Sequence, residues 1–371
     1  MSKLSKLIPI EKESIPVEEK SMKEAINAVN RGAKLDGFSK IVCGDELDSP
    51  KIISTGIIGL DYNLQIGGFP RGRIVQIYGA EASFKSTIAL RTVAEAQKGG
   101  AKVLWVDAEM GFDINWAKAN GVDMKKIGIM KPDNQIEGLD TITNAIKDGD
   151  WNVVVLDSLI ALAPQKESGD SKKNTVASID VEAMGVFARK MSQWFRNNVK
   201  YISKHGILFI IINQLRMNIS GYGNPEVVPG GNAVKYYSSI NLGIKKLKAK
   251  DDQIKDKNDN IVGAKYQYII DKTRFDTYGK TGQFTVYGNI IDNYSMLRDI
   301  ALKEGIIEKL NASYYQYGET KINGLNNVAK ELIKNKQMCS EIEAKIREKM
   351  GFNVNSFDPY AMDIEDTTSE E

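Results

Sequence analysis

Between Arg73 and Thr87 a short apolar run, Ile74-Val75-Gln76-Ile77-Tyr78, ends in Gly79. After five more residues Lys85-Ser86-Thr87 opens a helix-length segment. β-Branched and aromatic residues bounded by a glycine read as a buried strand, and the stretch behind Lys85 reads as a helix. Strand, glycine-led turn and helix in that order form a phosphate-binding loop, here Gly79, Ala80, Glu81, Ala82, Ser83, Phe84, Lys85, Ser86 and Thr87. Such a loop aims backbone N–H groups and a helix N-terminus at phosphate oxygens. Lys85 would meet the β and γ phosphates and the Ser86 hydroxyl a Mg2+ ion. One position departs from the strict pattern: Phe84 stands directly before the lysine, where glycine is usual, so the backbone must accommodate a Cβ and a ring.

The surrounding pattern supports an α/β fold with a mostly parallel central sheet. Strands are expected at Arg73–Tyr78, Lys102–Asp107, Lys126–Met130, Val153–Asp157 and Ile207–Asn213, nearly continuous in apolar residues, as strands covered on both faces are. Helices are expected at Lys85–Gln97, Asp113–Asn120, Glu137–Asp148 and Val181–Lys204. In the last, Met184, Phe187, Ala188, Met191 and Phe195 form one apolar stripe, and Arg189 and Arg196 lie off it, toward solvent or a ligand. His205-Gly206 reads as an ordinary helix C-terminus. Further on, Ile240–Leu247, Tyr266–Asp271 and Gln283–Tyr287 read as antiparallel strands appended to the sheet, with Lys245–Asn260 as an exposed hairpin tip.

The expected organisation is an N-terminal helix and β-like segment (1–50), a large α/β core (51–290), a small α/β domain (291–352) and an acidic tail (353–371). The helix centres on Met22, Ile26 and Val29, and the β-like residues are Lys40–Cys43; together they look too small to bury themselves. Asp358–Glu371 carries six acids and no base, so a tail of −6 leaves +8 on the rest of a chain whose total is +2. The tail reads either as a competitor for an anionic ligand or as a solubilising end.

Composition removes several function classes. Cys43 and Cys339 are the only cysteines and His205 the only histidine, which leaves no zinc cluster and no Ser-His-Asp centre. The N-terminus lacks the long apolar stretch of a secretory signal and no apolar run is long enough to span a bilayer, so the chain reads as cytoplasmic, with no membrane partner. Fifty basic against forty-eight acidic residues supply no polycation argument, so any nucleic-acid contact must come from local patterning.

Two acids complete a candidate site. Val153–Asp157 is an apolar strand ending in a carboxylate, suited to holding a Mg2+ shell, although buried strands often end in Asp. Glu109, two residues after Asp107, either orients a hydrolytic water or is a helix N-terminal charge.

These stretches, with Ile53-Ser54-Thr55-Gly56, Gly67–Gly79, Asp107-Ala108-Glu109, Asp157-Ser158, Asn213-Gln214-Leu215-Arg216-Met217 and Gly223-Asn224-Pro225-Glu226, resemble the RecA family of homologous-recombination proteins, collinearly from about residue 22 to 350. The resemblance implies a RecA-type ATPase core and a DNA-dependent ATPase. The enzyme would form a helical filament on single-stranded DNA, search double-stranded DNA for homology and exchange strands, in DNA repair and the SOS response.

It implies roles for single residues too. Lys85 and Glu109 would be catalytic, Asp157 would be the metal-shell acid, and Gln214 would sense the γ phosphate and relay it to the adjacent DNA-binding loop. Asp113 and Trp116 match adenine-contacting positions, with a core aromatic as the alternative for Trp116. Lys272 and Arg274 resemble a basic pair that reaches the neighbouring subunit's nucleotide; the alternative is two exposed charges at a strand end.

Two segments resemble the family's DNA-binding loops. Pro164–Ser178 holds Lys166, Lys172 and Lys173. Leu215–Val228 holds Arg216, Met217, Asn218, Ile219, Tyr222 and Asn224, is one residue shorter than the usual bacterial form, and leaves the intercalating residue open between Ile219 and Tyr222. Gly230 and Gly231 follow, and Arg189 and Arg196 count with the DNA-facing candidates. Lys235 and Tyr236 match a subunit-interface position, and the N-terminal helix with Lys40–Cys43 resembles the segment that docks on the next protomer. The region 293–350, with Tyr314, Tyr315 and Tyr317, resembles the domain that gathers duplex DNA. Single-strand-binding and mediator proteins are implied partners. Phe84 resembles the equivalent position in recombinases of large bacteriophages. A ring-forming motor on the same core and an ATP-bound filament scaffold remain as rival readings.

Overall fold

The apolar runs meet in one ten-stranded sheet. The structure, a computed structural model, describes residues 21–32, 40–46, 49–162, 176–217, 226–227, 231–249, 252–275, 278–288 and 290–351. The chain falls into two units, 1–49 and 50–371.

The first unit holds helix α1 (Met22–Gly32) and a 3-10 turn at Gly44–Glu46. The Asn30 side chain brackets the Ile41 backbone, donating to its carbonyl at 2.8 Å and accepting from its N–H at 3.0 Å. Lys40–Cys43 is not a strand, contrary to expectation. A strand exists only where a ladder partner takes its backbone groups, and among the described residues this segment has none.

In the second unit, β1 (Ile52–Ile53), α2 (Ile58–Leu64) and β2 (Phe69–Pro70) lead into β3 (Ile74–Gly79). Then come α3 (Lys85–Lys98), β4 (Val103–Asp107), α4 (Ile114–Ala119), β5 (Ile127–Met130), α5 (Gln135–Asp148), β6 (Val153–Asp157), α6 (Val176–Lys204) and β7 (Leu208–Gln214). The small pair β8 (Arg216–Met217) and β9 (Glu226–Val227) precedes α7 (Gly231–Tyr237), β10 (Ile240–Lys246), β11 (Gln253–Lys255), β12 (Ile261–Thr273), β13 (Thr281–Tyr287) and β14 (Ile290–Ile291). Last come α8 (Asn293–Lys303), β15 (Glu308–Lys309), β16 (Tyr314–Tyr317), β17 (Thr320–Asn323), α9 (Leu325–Lys334) and α10 (Lys336–Lys349).

The sheet order is β14-β13-β12-β10-β3-β7-β6-β4-β5, with β11 on the flank of β12. From β10 to β5 every pairing is parallel, and β12, β13, β14 and β11 join antiparallel. The expected tip within Lys245–Asn260 therefore contains a short strand of its own. Parallel neighbours need helical crossovers, which is why β3, β4, β6 and β7 alternate with α3, α5 and α6 and are buried on both faces. One face packs Val75, Ile77 and Ile210 with Ile88 and Val93 of α3. The other packs Ile74, Val154 and Phe209 with Phe187, Met191 and Phe195 of α6. Each such buried side chain contributes about 1.5–3 kcal/mol of transfer free energy. Helix α6 starts at Val176, five residues before the expected Val181; Phe187, Met191 and Phe195 of the expected stripe are buried, and Arg189 and Arg196 are exposed.

The three-stranded sheet β15-β16-β17 and helices α8, α9 and α10 share a third apolar cluster that also takes in Ile58 of α2. The Asn293 side chain accepts from the Ile58 N–H and donates to the Gly56 carbonyl, both at 3.1 Å, which fixes α8 against α2. Among the described residues no helix is long and apolar enough to cross a membrane.

Candidate nucleotide site

Parallel strands present their carboxyl ends along one edge, and the candidate residues gather there. Gly79 closes β3 and pairs with Gln214, the last residue of β7; Asp107 of β4 pairs with Asp157 of β6. Gly79 is required for space: a Cβ there would lie 2.2 Å from the Ile244 carbonyl oxygen and 2.6 Å from Ser83 Oγ.

The loop reaches α3 through two left-handed residues, Ala82 (φ 53°) and Phe84 (φ 75°). Such backbone costs a residue with a Cβ roughly 1–2 kcal/mol. The Phe84 ring recovers this by leaving the loop and packing against Tyr266 and Phe284, with centroids 5.2 and 5.9 Å away, on the antiparallel strands. The side chain that looked out of place in the sequence is accommodated by an aromatic cluster.

Lys85 folds into the loop, its Nζ donating to the Ala80 carbonyl at 2.6 Å and to Ser83 Oγ at 3.4 Å. Burial lowers its pKa, and the negative charges of Asp157, Glu109 and Glu81 oppose that shift. Asp157 is pushed up to about 7, chiefly by burial; the Ser86 hydroxyl bond lowers it, and Glu109 and Asp107 add to the rise. The Ser86 hydroxyl and the Asp157 carboxylate side by side are hard oxygen donors, a set that suits Mg2+ held mainly by phosphates. Among the described residues no three His, Cys, Asp or Glu side chains form a metal cage.

Glu109 is exposed at the turn after β4. It accepts the Ser158 hydroxyl and, at 2.8 Å, the Gln214 amide. The turn is anchored by the N–H groups of Ala108 and Glu109, which donate to the Asp157 carbonyl at 2.7 and 3.3 Å. Asp107 is tied up differently, accepting from the N–H groups of Gly111 and Phe112.

Asp113 caps α4, its carboxylate accepting from the N–H groups of Asn115 and Trp116. Trp116 is half-buried, and its indole N–H donates to Thr87 Oγ1 at 3.1 Å, which sets the ring beside the phosphate loop. On β12, Lys272 donates to the carbonyls of Lys235 and Tyr236 at the end of α7, and Arg274, just past the end of β12, reaches the Tyr236 carbonyl at 3.5 Å. Burial lowers the Lys272 pKa, and Arg274 and Lys235 add to it.

Lys166, Lys172, Lys173, Asn218, Ile219, Tyr222 and Gly230 lie outside the described residues. Arg216 and Met217 form β8, Gly231 begins α7, and Arg189 and Arg196 are exposed on α6. The reading from sequence missed two groups. The Ser158 hydroxyl was quoted only as part of a motif. The Tyr78–Asp271 contact left no local trace, because its partners are 193 positions apart.

A strand-led phosphate loop, with the acid and amide groups of the neighbouring strand ends beside it, defines a P-loop ATPase. Residues 20–292 match the RecA N-terminal domain and residues 295–351 the RecA C-terminal domain. The chain is similar to Protein RecA of Cytophaga hutchinsonii, 38% identical over 332 residues and 88% of each chain. It is also similar to Protein RecA of Paramagnetospirillum magneticum (34%; 95% of this chain, 96% of the relative) and of Clostridioides difficile (37%; 89% and 93%). The chain belongs to the RecA family, and it is a DNA-dependent ATPase of homologous recombination and DNA repair.

Proposed function

We propose that ATP binds across Gly79–Thr87 with its adenine against Asp113 and Trp116, and that Glu109 activates the hydrolytic water. The observation that carries this reading is the double tether on Glu109: Ser158 and Gln214 hold one of its oxygens at the strand edge, close enough for its charge to act on Lys85. Ser86 and Asp157 would hold Mg2+, which supplies charge neutralisation of the β and γ phosphates when bound. Lys85 withdraws from Ala80 and Ser83 to meet the phosphates. Gln214 is the last residue before Leu215–Val228, so a change at its amide passes directly to that segment. Lys272 and Arg274 stabilise the nucleotide of the adjoining protomer, making ATP part of the filament interface.

In this reading Lys166, Lys172, Lys173, Arg189, Arg196, Arg216, Met217, Asn218, Ile219, Tyr222, Gly230 and Gly231 hold single-stranded DNA by phosphate contacts and wedged side chains. Base pairing with duplex DNA then tests homology in the cytoplasm, with single-strand-binding and mediator proteins as partners. The deciding experiment is joint-molecule formation between a labelled single strand and supercoiled duplex, with ATP and Mg2+. Product that requires ATP and homology, and that Lys85→Ala abolishes, is expected. Intact single-strand binding without product under any nucleotide condition would leave an ATP-bound scaffold or a recombinase that needs a mediator protein.

A further inference from the structure

Asp271 takes no part in the chemistry above, yet it is the residue at which β12 changes phase. Against β10, Ile269 pairs with Gly243 and Ile270 with Leu242; the next pairs are Lys272 with Asn241 and Thr273 with Ile240. Asp271 is therefore the extra residue of a β-bulge. Before the bulge, Tyr266, Tyr268 and Ile270 point into the apolar cluster on the α3 side of the sheet. A regular strand would send Lys272 to that same face. The inserted residue reverses the phase, and Lys272 and Arg274 both reach the α7 side, where their donors meet the Lys235 and Tyr236 carbonyls.

The bulge is held from a distance. The Asp271 carboxylate accepts the hydroxyl of Tyr78, which stands on β3 directly before Gly79. Strand β10 lies between them, and Gly243 is the position that pairs with both Tyr78 and Ile269. A Cβ at Gly243 would lie 2.8 Å from Tyr78 Oη and 2.9 Å from Cζ, so the phenol crosses β10 where that strand has no side chain. Asp271 is half-buried, and a carboxylate in that setting needs a donor.

We infer that Asp271, fastened by Tyr78 across Gly243, is a positioning residue that sets Lys272 and Arg274 on the interface-facing side of β12 for their action on the neighbouring protomer's nucleotide. The inference rests on the proposed role of that pair between subunits. It adds a direct tie between each protomer's own phosphate loop and the cations it lends to the next.

Mixed filaments test it. Asp271→Ala alone should lose between about tenfold and 10²-fold of DNA-stimulated turnover, while its affinity for a fluorescent ATP analogue in the absence of DNA stays within twofold. Asp271→Asn, whose amide oxygen still accepts from Tyr78, should restore turnover, and Tyr78→Phe should reproduce the loss from the other partner. Glu109→Gln protomers supply intact Lys272 and Arg274 but, having lost the proposed base, turn over little on their own. Mixed with Asp271→Ala on single-stranded DNA, they should raise turnover well above the sum of the two variants alone.

Lys272→Ala, mixed in the same way, is the reference. If Lys272→Ala regains activity and Asp271→Ala does not, the positioning role falls and the interface role of the pair stands. If neither regains activity, the interface role falls and takes this inference with it. Full turnover by Asp271→Ala overturns the inference directly.

Discussion

The Gln214 amide donates to Oε1 of Glu109 at 2.8 Å, joining the last residue of β7 to the turn that follows β4. One end of this contact is the proposed water-activating carboxylate and the other borders Leu215–Val228, the proposed second DNA-binding segment. Glu109→Gln should lower turnover by about 10²–10⁴-fold, the usual contribution of a general base, with nucleotide affinity retained. Gln214→Ala keeps the base and its bond from Ser158 but cuts the link to Leu215–Val228, so basal turnover should persist while stimulation by single-stranded DNA disappears. Steady-state ATPase assays with and without a homopolymeric strand separate the two. Equal stimulation of Gln214→Ala and the unsubstituted protein would remove Gln214 from the relay.

The strand ends that build the site were legible because each is a local signal: an apolar run closed by Gly79, Asp107, Asp157 or Asn213-Gln214. What holds Glu109 was not, since Ser158 and Gln214 are 49 and 105 positions away and meet it only through sheet order. The bulge at Asp271 is equally silent, because register is a property of two strands and nothing near residue 271 announces it. Lys40–Cys43 shows the reverse case. Its β-rich composition is real, but a strand also needs a partner, and composition cannot supply one.

Phe84 gives a prediction with a definite order. Phe84→Gly relieves the left-handed backbone but removes a ring packed on Tyr266 and Phe284; Phe84→Ala loses the ring and keeps the strain. Since the ring is only partly buried, Phe84→Gly should cost about 1–3 kcal/mol, below the full core value. Phe84→Ala should cost roughly 0.5–1 kcal/mol more than Phe84→Gly. Urea unfolding of the three proteins checks this. Phe84→Gly more stable than the unsubstituted chain would mean that the ring packing does not recover the cost of the left-handed backbone.

Trp116 is fixed to the loop through Thr87, so its ring should be in place before nucleotide arrives. Trp116→Ala removes a stacking surface of about 1–3 kcal/mol for a base, and the KM for ATP should rise by roughly ten- to 10²-fold. Trp116→Phe keeps a ring without the indole N–H and should fall between. The kcat at saturating ATP should change little, because stacking on the base holds the bound nucleotide and its transition state equally. A fall in kcat with KM unchanged would assign Trp116 to the loop's framework instead of to the base.

Asp61 supplies a pH dependence separable from catalysis. It lies on α2, fully buried, accepting from the Ser54 hydroxyl and from the Thr55 N–H and hydroxyl; burial nonetheless pushes it up to about 6 from an ordinary value of 3.8. An acid with a raised folded-state pKa binds its proton more tightly folded than unfolded. Between the two values the native state carries the extra proton, and stability falls as pH rises through that window. The stabilisation is complete below the unfolded value and gone above about pH 6. Asp61→Asn has no proton to lose, so its stability relative to the unsubstituted protein should rise from pH 4 to pH 7 by on the order of 2–3 kcal/mol. A constant offset from the lost acceptor geometry would sit on top of that change. Chemical denaturation of both proteins across that range measures the difference. A flat difference would show that the hydrogen bonds from Ser54 and Thr55 compensate the burial of the charge in full.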